Sequence, residues 1–255
     1  MHEPAYDPRV EITGTGPPLV LVPGMDGTGR LFYRQVPLLA RRYRVATYAL
    51  RDEAQSMDTL VEDLEHVIRI VAPDGEPATI IGESFGGALA TSLTLAHAST
   101  VRSLVVLNSF PYFAPQFRLR LAIAGVRMMP WGAMSLVRRA TALRMHSRFT
   151  HRTEIQRFLA ETKMTTRRGY LGRLGILTRF DVRDDLARIR VPTLYIAADE
   201  DRLVPSLEQG QFMAARVPGA ALHVLTGHGH ICLIAPNVDL ERILADWERD
   251  HARQT

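Results

Sequence analysis

Gly82-Glu83-Ser84-Phe85-Gly86 follows a short apolar run, Ala78-Thr79-Ile80-Ile81, and opens a helical stretch from Gly87 to His97. A serine with glycine at both second neighbours, set between a strand and a helix, has the G-x-S-x-G pattern of a nucleophile elbow. The turn is so sharp that side chains two residues either side of the serine would collide, and glycine removes the collision. The serine Oγ then stands clear of the sheet, and the next helix aims its N-terminus at any negative charge that develops there. Taken alone, the pentapeptide also fits a plain Gly-rich strand-to-helix turn. The residues further along decide against that reading.

On both sides of the elbow, strands alternate with helices. Leu19 to Val22 reads as a strand ending in Pro23-Gly24, followed by a helix over about Arg30–Arg41. Tyr43–Leu50 reads as a strand and Met57–Val71 as a helix, with Leu60, Val61, Leu64, Val67, Ile68 and Val71 on one face. Val101–Leu107 is a further strand. Val10–Thr13 leaves little room for a full pair of leading strands, so the sheet is expected to be short at that edge. This rhythm predicts an α/β fold built on a mostly parallel, doubly wound sheet, with ligands at the carboxyl ends of its strands.

The rhythm stops after Asn108. From Phe110 to Arg179 the sequence is helical in pattern, and arginine recurs at 118, 120, 127, 138, 139, 144, 148, 152, 157, 167, 168, 173 and 179; Glu154 and Glu161 are the only acids there. Strand and helix alternation resumes at Val191–Ala197, with a helix near Leu207–Val217, a strand at Ala221–Leu225 and a last helix near Val238–His251. The organisation predicted is a core domain over 1–109 and 186–255, with an all-helical cap, or lid, inserted as 110–185. Interleaved apolar residues in the insertion suggest one apolar face towards an acyl pocket and one basic face outward. Gly24, Phe110 and Trp131 are candidates to line that pocket.

Composition narrows the function classes. A net charge of +4 over 255 residues, carried almost wholly by arginine (Lys163 is the only lysine), does not by itself indicate nucleic acid. No apolar run is long enough to span a bilayer, and Met1 to Pro8 has no apolar core of the kind a secretory signal needs. Cys232 is the single cysteine, so no internal disulfide can form, which agrees with a cytoplasmic location. No cluster of His, Cys, Asp and Glu has metal-ligand spacing, so neither a metal nor a cofactor is expected.

A serine hydroxyl needs a base to take its proton and a third group to orient that base. Gly227-His228-Gly229-His230 follows the last strand and offers two histidines. His230, just before the apolar run Ile231-Cys232-Leu233-Ile234, is the expected base, and His228 is its competitor. Asp199, Glu200 and Asp201 follow the preceding strand; the D-x-x-x-P spacing to Pro205 favours Asp201 and leaves the other two as solvated loop acids. The position after Val101–Leu107 holds Asn108 and Ser109, which cannot serve as the acid. An acyl-transfer site also needs two donors for the tetrahedral oxyanion. The amide of Phe85 is one, and Met25, in Pro23-Gly24-Met25-Asp26-Gly27-Thr28-Gly29, is the best candidate for the other. That loop lacks both the Gly-Lys-Ser/Thr ending and the G-x-G-x-x-G register of nucleotide-binding loops.

With the elbow, Asp201…Pro205 and Gly229-His230 in this order, the sequence resembles the α/β-hydrolase family over nearly its whole length. The resemblance implies Ser84 as nucleophile, Asp201 as acid, His230 as base and Met25 with Phe85 as oxyanion donors. Pro23 stands where many members carry histidine, which alters how the oxyanion loop is braced, and Ala198 stands where glycine is common. Serine at the elbow argues against the dehalogenases and epoxide hydrolases, which use aspartate there. The resemblance implies a carboxylic ester hydrolase working through an acyl-enzyme on a small-molecule ester. Thioesterase, acyltransferase and a non-catalytic ligand-binding member are the alternatives. The arginine-rich cap reads either as a solvated helical surface or, since it resembles that of the esterase acting on pimeloyl-carrier-protein methyl ester, as a docking face for an acidic carrier protein or an anionic surface.

Overall fold

Along β2 (Pro18–Val22), Leu19 and Leu21 pack into one apolar layer and Val20 and Val22 into another, the period of two required of a strand buried on both faces. The same division holds at Ile80 and Ile81 of β4 (Ala78–Glu83). These observations come from a computed structural model, which describes residues 7, 9–113 and 116–253. The opening stretch 1–6 and the side chains of Arg118 and Arg144 lie outside the described residues.

The sheet has seven strands in the order β1-β3-β2-β4-β5-β6-β7, adding β1 (Val10–Thr13), β3 (Arg44–Tyr48), β5 (Val101–Leu107), β6 (Thr193–Ala198) and β7 (Ala221–Leu225). Every neighbouring pair is parallel except β1 with β3. One short antiparallel strand is thus what leads the sheet. The apolar layer on one face includes residues of α2 (Met57–Val71), α3 (Phe85–Ala96) and α8 (Ser206–Ala214); the layer on the other includes residues of the single turn α1 (Val36–Leu39) and of α9 (Leu240–Ala252). Side-chain caps begin two of these helices: Ser56 accepts from the Thr59 amide and Asp239 from the Arg242 amide.

The continuous helix expected over Arg30–Arg41 is not formed. A 3₁₀ turn at Arg30–Phe32 is followed by α1 alone. Pro37 has no amide to donate and fits only a first helical turn, so an unbroken α-helix from Arg30 through this position is excluded. Gln35, buried just before it, donates to the carbonyls of Leu233 and Val238 and accepts from the Leu240 amide, tying this corner to the loop beyond β7.

Between β5 and β6 the regular elements among the described residues are helical: α4 (Gln116–Met128), α5 (Met134–Met145), α6 (Arg152–Glu161) and α7 (Arg167–Leu177), with short 3₁₀ turns. No helix among the described residues is long and apolar enough to cross a membrane.

Candidate active site

Parallel strands bring their carboxyl ends to one edge, and the loops leaving β2, β4, β6 and β7 carry Met25, Ser84, Asp201 and His230 there. Ser84 joins β4 to α3 with φ 55° and ψ −117°, a conformation that strains any residue bearing a Cβ. A Cβ at Gly82 would meet the Gly86 carbonyl oxygen, and one at Gly86 would meet that of Val22, so the turn closes only with glycine at both places. Ser109 Oγ donates to the Ser84 carbonyl at 2.6 Å, and the Ser84 amide donates to Leu107 O at 2.9 Å.

His230 Nε2 lies 3.0 Å from Ser84 Oγ, and its Nδ1 lies 2.6 Å from Asp201 Oδ2. All three residues are buried on their functional atoms. The amides of Leu203 (2.9 Å) and Val204 (3.1 Å) donate to Asp201 Oδ1, and the Ser206 hydroxyl donates to Oδ2. Pro205 sets up α8 directly behind them. Burial works against charge on Asp201, yet the hydrogen bond and charge of His230, then the bonds from Ser206 and Leu203, hold its pKa below the usual carboxylate range. Burial also works against charge on His230, but the hydrogen bond and charge of Asp201, with Glu83 assisting, hold its pKa above the ordinary imidazole value.

The competing residues go elsewhere. His228 is buried with its Nε2 3.2 Å from Asn237 Nδ2 and its ring against Phe149. Asp199 is exposed and accepts from the Gly227 amide at 2.7 Å, bracing the histidine loop; Glu200 is exposed. The amides of Met25 and Phe85 donate to no acceptor among the described residues, and both residues line the cavity at Ser84.

That cavity has a volume of about 510 Å³. Gly24, Met25, Phe85 and Phe110 line it as expected, and the inserted helices roof it with Leu119, Ala142, Met145, Phe158 and Leu174 among others. Trp131 does not line it. Its ring sits one layer behind, 6.3 Å from that of Tyr170, which does line it. The basic residues of the insertion also depart from a single outward face. Arg138 turns into the cavity and Arg173 is only 2% exposed, while Arg167 donates to the Val126 carbonyl and Arg179 to that of Gln55.

Four residues that matter here were not singled out from the sequence. Asn108, at φ 46°, donates through Nδ2 to the His230 carbonyl (2.9 Å) and accepts at Oδ1 from the Ala198 amide (2.8 Å), joining the ends of β5 and β6 to the histidine loop. Ser109 braces the elbow as described. Arg173, on α7, donates to the carbonyls of Met25 (3.0 Å) and Asp26 (3.3 Å), the latter also accepting from Thr165 Oγ1 (3.1 Å). Gly27, at φ +71°, leaves the space its guanidinium fills. Glu83 places Oε1 3.8 Å from His230 Nε2, and burial pushes its pKa up to about 7 against the lowering effect of His230. Only the positive φ of Asn108 has a sequence signal, since asparagine tolerates it better than most residues.

A model of the alpha/beta hydrolase family matches residues 19–243. RutD of Escherichia coli O157:H7, provisionally named a carbamate hydrolase, is 28% identical over 228 residues and 85% of each chain. An esterase from Exiguobacterium antarcticum superposes with a TM-score of 0.79 at 21% identity, covering 96% of this chain and 94% of its own. A bromoperoxidase from Bacillus anthracis superposes with a TM-score of 0.83 at 20% identity over 94% of both. At such identities structural likeness speaks for the fold alone, so the chemistry must be argued from the residues.

Proposed function

The chain belongs to the alpha/beta hydrolase family, and from that premise we propose that it is a serine hydrolase that cleaves small carboxylic esters through an acyl-enzyme. The observation that carries the reading is the continuous chain of hydrogen bonds Ser84 Oγ–His230–Asp201 beneath an apolar cavity. In this mechanism Ser84 Oγ attacks the ester carbonyl as its proton passes to His230 Nε2, and Asp201 holds the imidazole with its Nδ1 proton towards the carboxylate. The Met25 and Phe85 amides, aided by the N-terminus of α3, receive the negative charge on the former carbonyl oxygen. Collapse of the intermediate releases the alcohol with the proton from Nε2. His230 then takes a proton from water as it attacks the acyl-enzyme, and returns that proton to Ser84 Oγ as the acid is released.

In this reading residues 110–185 form a cap domain that closes the acyl pocket over the core of 1–109 and 186–255. The similarity to RutD makes a carbamate the second carbonyl to try, since the same groups would attack it. The buried, unpaired Cys232 fits a reducing compartment such as the cytoplasm.

The test is hydrolysis of p-nitrophenyl esters of graded chain length, with the matching carbamates, by the wild type and Ser84→Ala. The expected result is ester turnover that falls at least about a thousandfold in the variant. Turnover that survives in a folded Ser84→Ala protein would overturn the assignment.

A further inference from the structure

Arg138, Thr141, Ala142 and Met145 of α5, spaced by three, four and seven residues, all line the cavity, so they form the inward face of that helix. Arg139, one residue on, is exposed. Helical geometry thus carries the Arg138 charge into a roof that is otherwise largely apolar.

No carboxylate among the described residues pairs with that charge. Arg138 Nη2 donates to the Thr165 carbonyl at 3.4 Å, and the guanidinium lies 5.2 Å from the Trp131 ring centroid. Its Nε and Nη1 have no acceptor among the described residues. Glu154 and Glu161, the acids within the span of α4 to α7, are engaged elsewhere: Glu154 with Tyr33 and Arg34, Glu161 with Arg30 and Arg157. Burial holds the Arg138 pKa below the ordinary guanidinium value, with Tyr170 alone opposing the shift. A cation in this position gains from an incoming anion more than a solvated one would, and the Trp131 face keeps its fork aligned.

The floor carries both signs. Asp26 and Glu83 line the cavity beside Ser84, with Asp201 behind His230. Arg202 also lines the cavity, so Arg138 is the cation that the inserted helices themselves offer to a substrate anion.

We propose that the substrate is an ester whose acyl chain ends in a carboxylate, and that Arg138 receives this carboxylate while Ser84 attacks the ester carbonyl. This deepens the ester-hydrolase reading and rests on it. Nη2 gives one hydrogen to the Thr165 carbonyl, and its other hydrogen, together with Nε–H or Nη1–H, makes the two parallel hydrogen bonds that match a carboxylate, which an ammonium cannot reproduce. A cavity of about 510 Å³ is within the range that holds a small extended ligand.

The experiment compares mono-p-nitrophenyl adipate and suberate with p-nitrophenyl hexanoate and octanoate. The readout is the ratio of kcat/KM between anionic and neutral esters of equal length, which cancels differences in folded fraction. The expected ratio in the wild type exceeds that of Arg138→Gln by about tenfold or more, with the loss mainly in KM and partial recovery in Arg138→Lys. An equal ratio in the wild type and Arg138→Gln would overturn the proposal. So would a preference that disappears in Arg202→Gln, the other cation of the lining, and persists in Arg138→Gln. If no ester is turned over, the ester-hydrolase reading fails and calorimetry decides the anion site. Adipate should then bind Ser84→Ala and not Ser84→Ala/Arg138→Gln; equal binding, or none to either, rejects the site.

Discussion

In the strand-end loops, Asp201 accepts four hydrogen bonds, Asn108 joins three segments, and each glycine around Ser84 faces an atom that leaves no room for a side chain. In the inserted helices, Leu121, Met128 and Leu136 stand more than half exposed. The inward faces there are filled mainly by apolar side chains whose exact shape has few constraints. The floor is held by directed polar bonds, which specify positions to a fraction of an ångström. The roof is held by burial, which specifies volume. Such a division lets the reacting groups stay fixed while the shape and charge above them change.

Three experiments test how separate the two regions are. The largest effect is expected where they meet. Arg173→Met takes the donor from the Met25 carbonyl and leaves Asp26 O with Thr165 Oγ1 alone, loosening the loop proposed to hold the oxyanion, so kcat/KM should fall on the order of a hundredfold. Arg173→Lys should recover little, because a single ammonium cannot brace both carbonyls as the fork does. Unchanged steady-state kinetics in Arg173→Met would mean that the roof does not hold the loop at all.

Within the floor, Asn108→Gly removes the bonds to His230 O and the Ala198 amide without imposing strain at φ 46°. Urea unfolding should register a loss of about 1–3 kcal/mol. A smaller loss than that of an exposed substitution such as Arg139→Gln would remove the contrast drawn between directed bonds and loose packing.

The smallest effect concerns Glu83. His230 must be neutral to accept the serine proton, so kcat/KM rises with pH through its pKa. The Glu83 charge helps to raise that pKa, and Glu83→Gln should shift the acid limb of the profile towards lower pH. Stability gives a second readout of the same group. Glu83 has a raised pKa in the fold, so it takes up a proton on folding; its contribution to stability is full at acid pH and is lost as pH rises through about 7. Glu83→Gln is spared that loss, and its Tm should gain on that of the wild type across this range. A pH-independent difference in Tm would refute the assigned burial cost.

The floor was legible because its signals are local. Met57–Val71 and Val101–Leu107 were bounded correctly from periodicity and flanking turns, and Ser84, Asp201 and His230 each carry a neighbouring glycine or proline that marks a tight turn. The roof was not legible in the same way. α5 carries apolar residues on both faces, with Leu136 and Val137 exposed and Ala142 and Met145 inward, so periodicity could not tell which arginine faced the cavity. Trp131 was misplaced for the same reason: a large aromatic in a lid looks like lining, and only packing against Tyr170 puts it a layer back. Arg173 and Asn108 act across 148 and 122 residues of chain, beyond what any pattern of neighbours encodes.

The guanidinium of Arg173 also sets a rule for recombination. Helices grafted from a relative to change the pocket would arrive without the bonds to Met25 O and Asp26 O unless an arginine stood at the corresponding point of α7 and a glycine at position 27. Chimaeras made by exchanging the insertion should therefore divide into two groups by that pair alone, those that inherit both residues and those that need a compensating change in the β2 loop. Of the bonds that join roof to floor, these reach the loop beside Ser84.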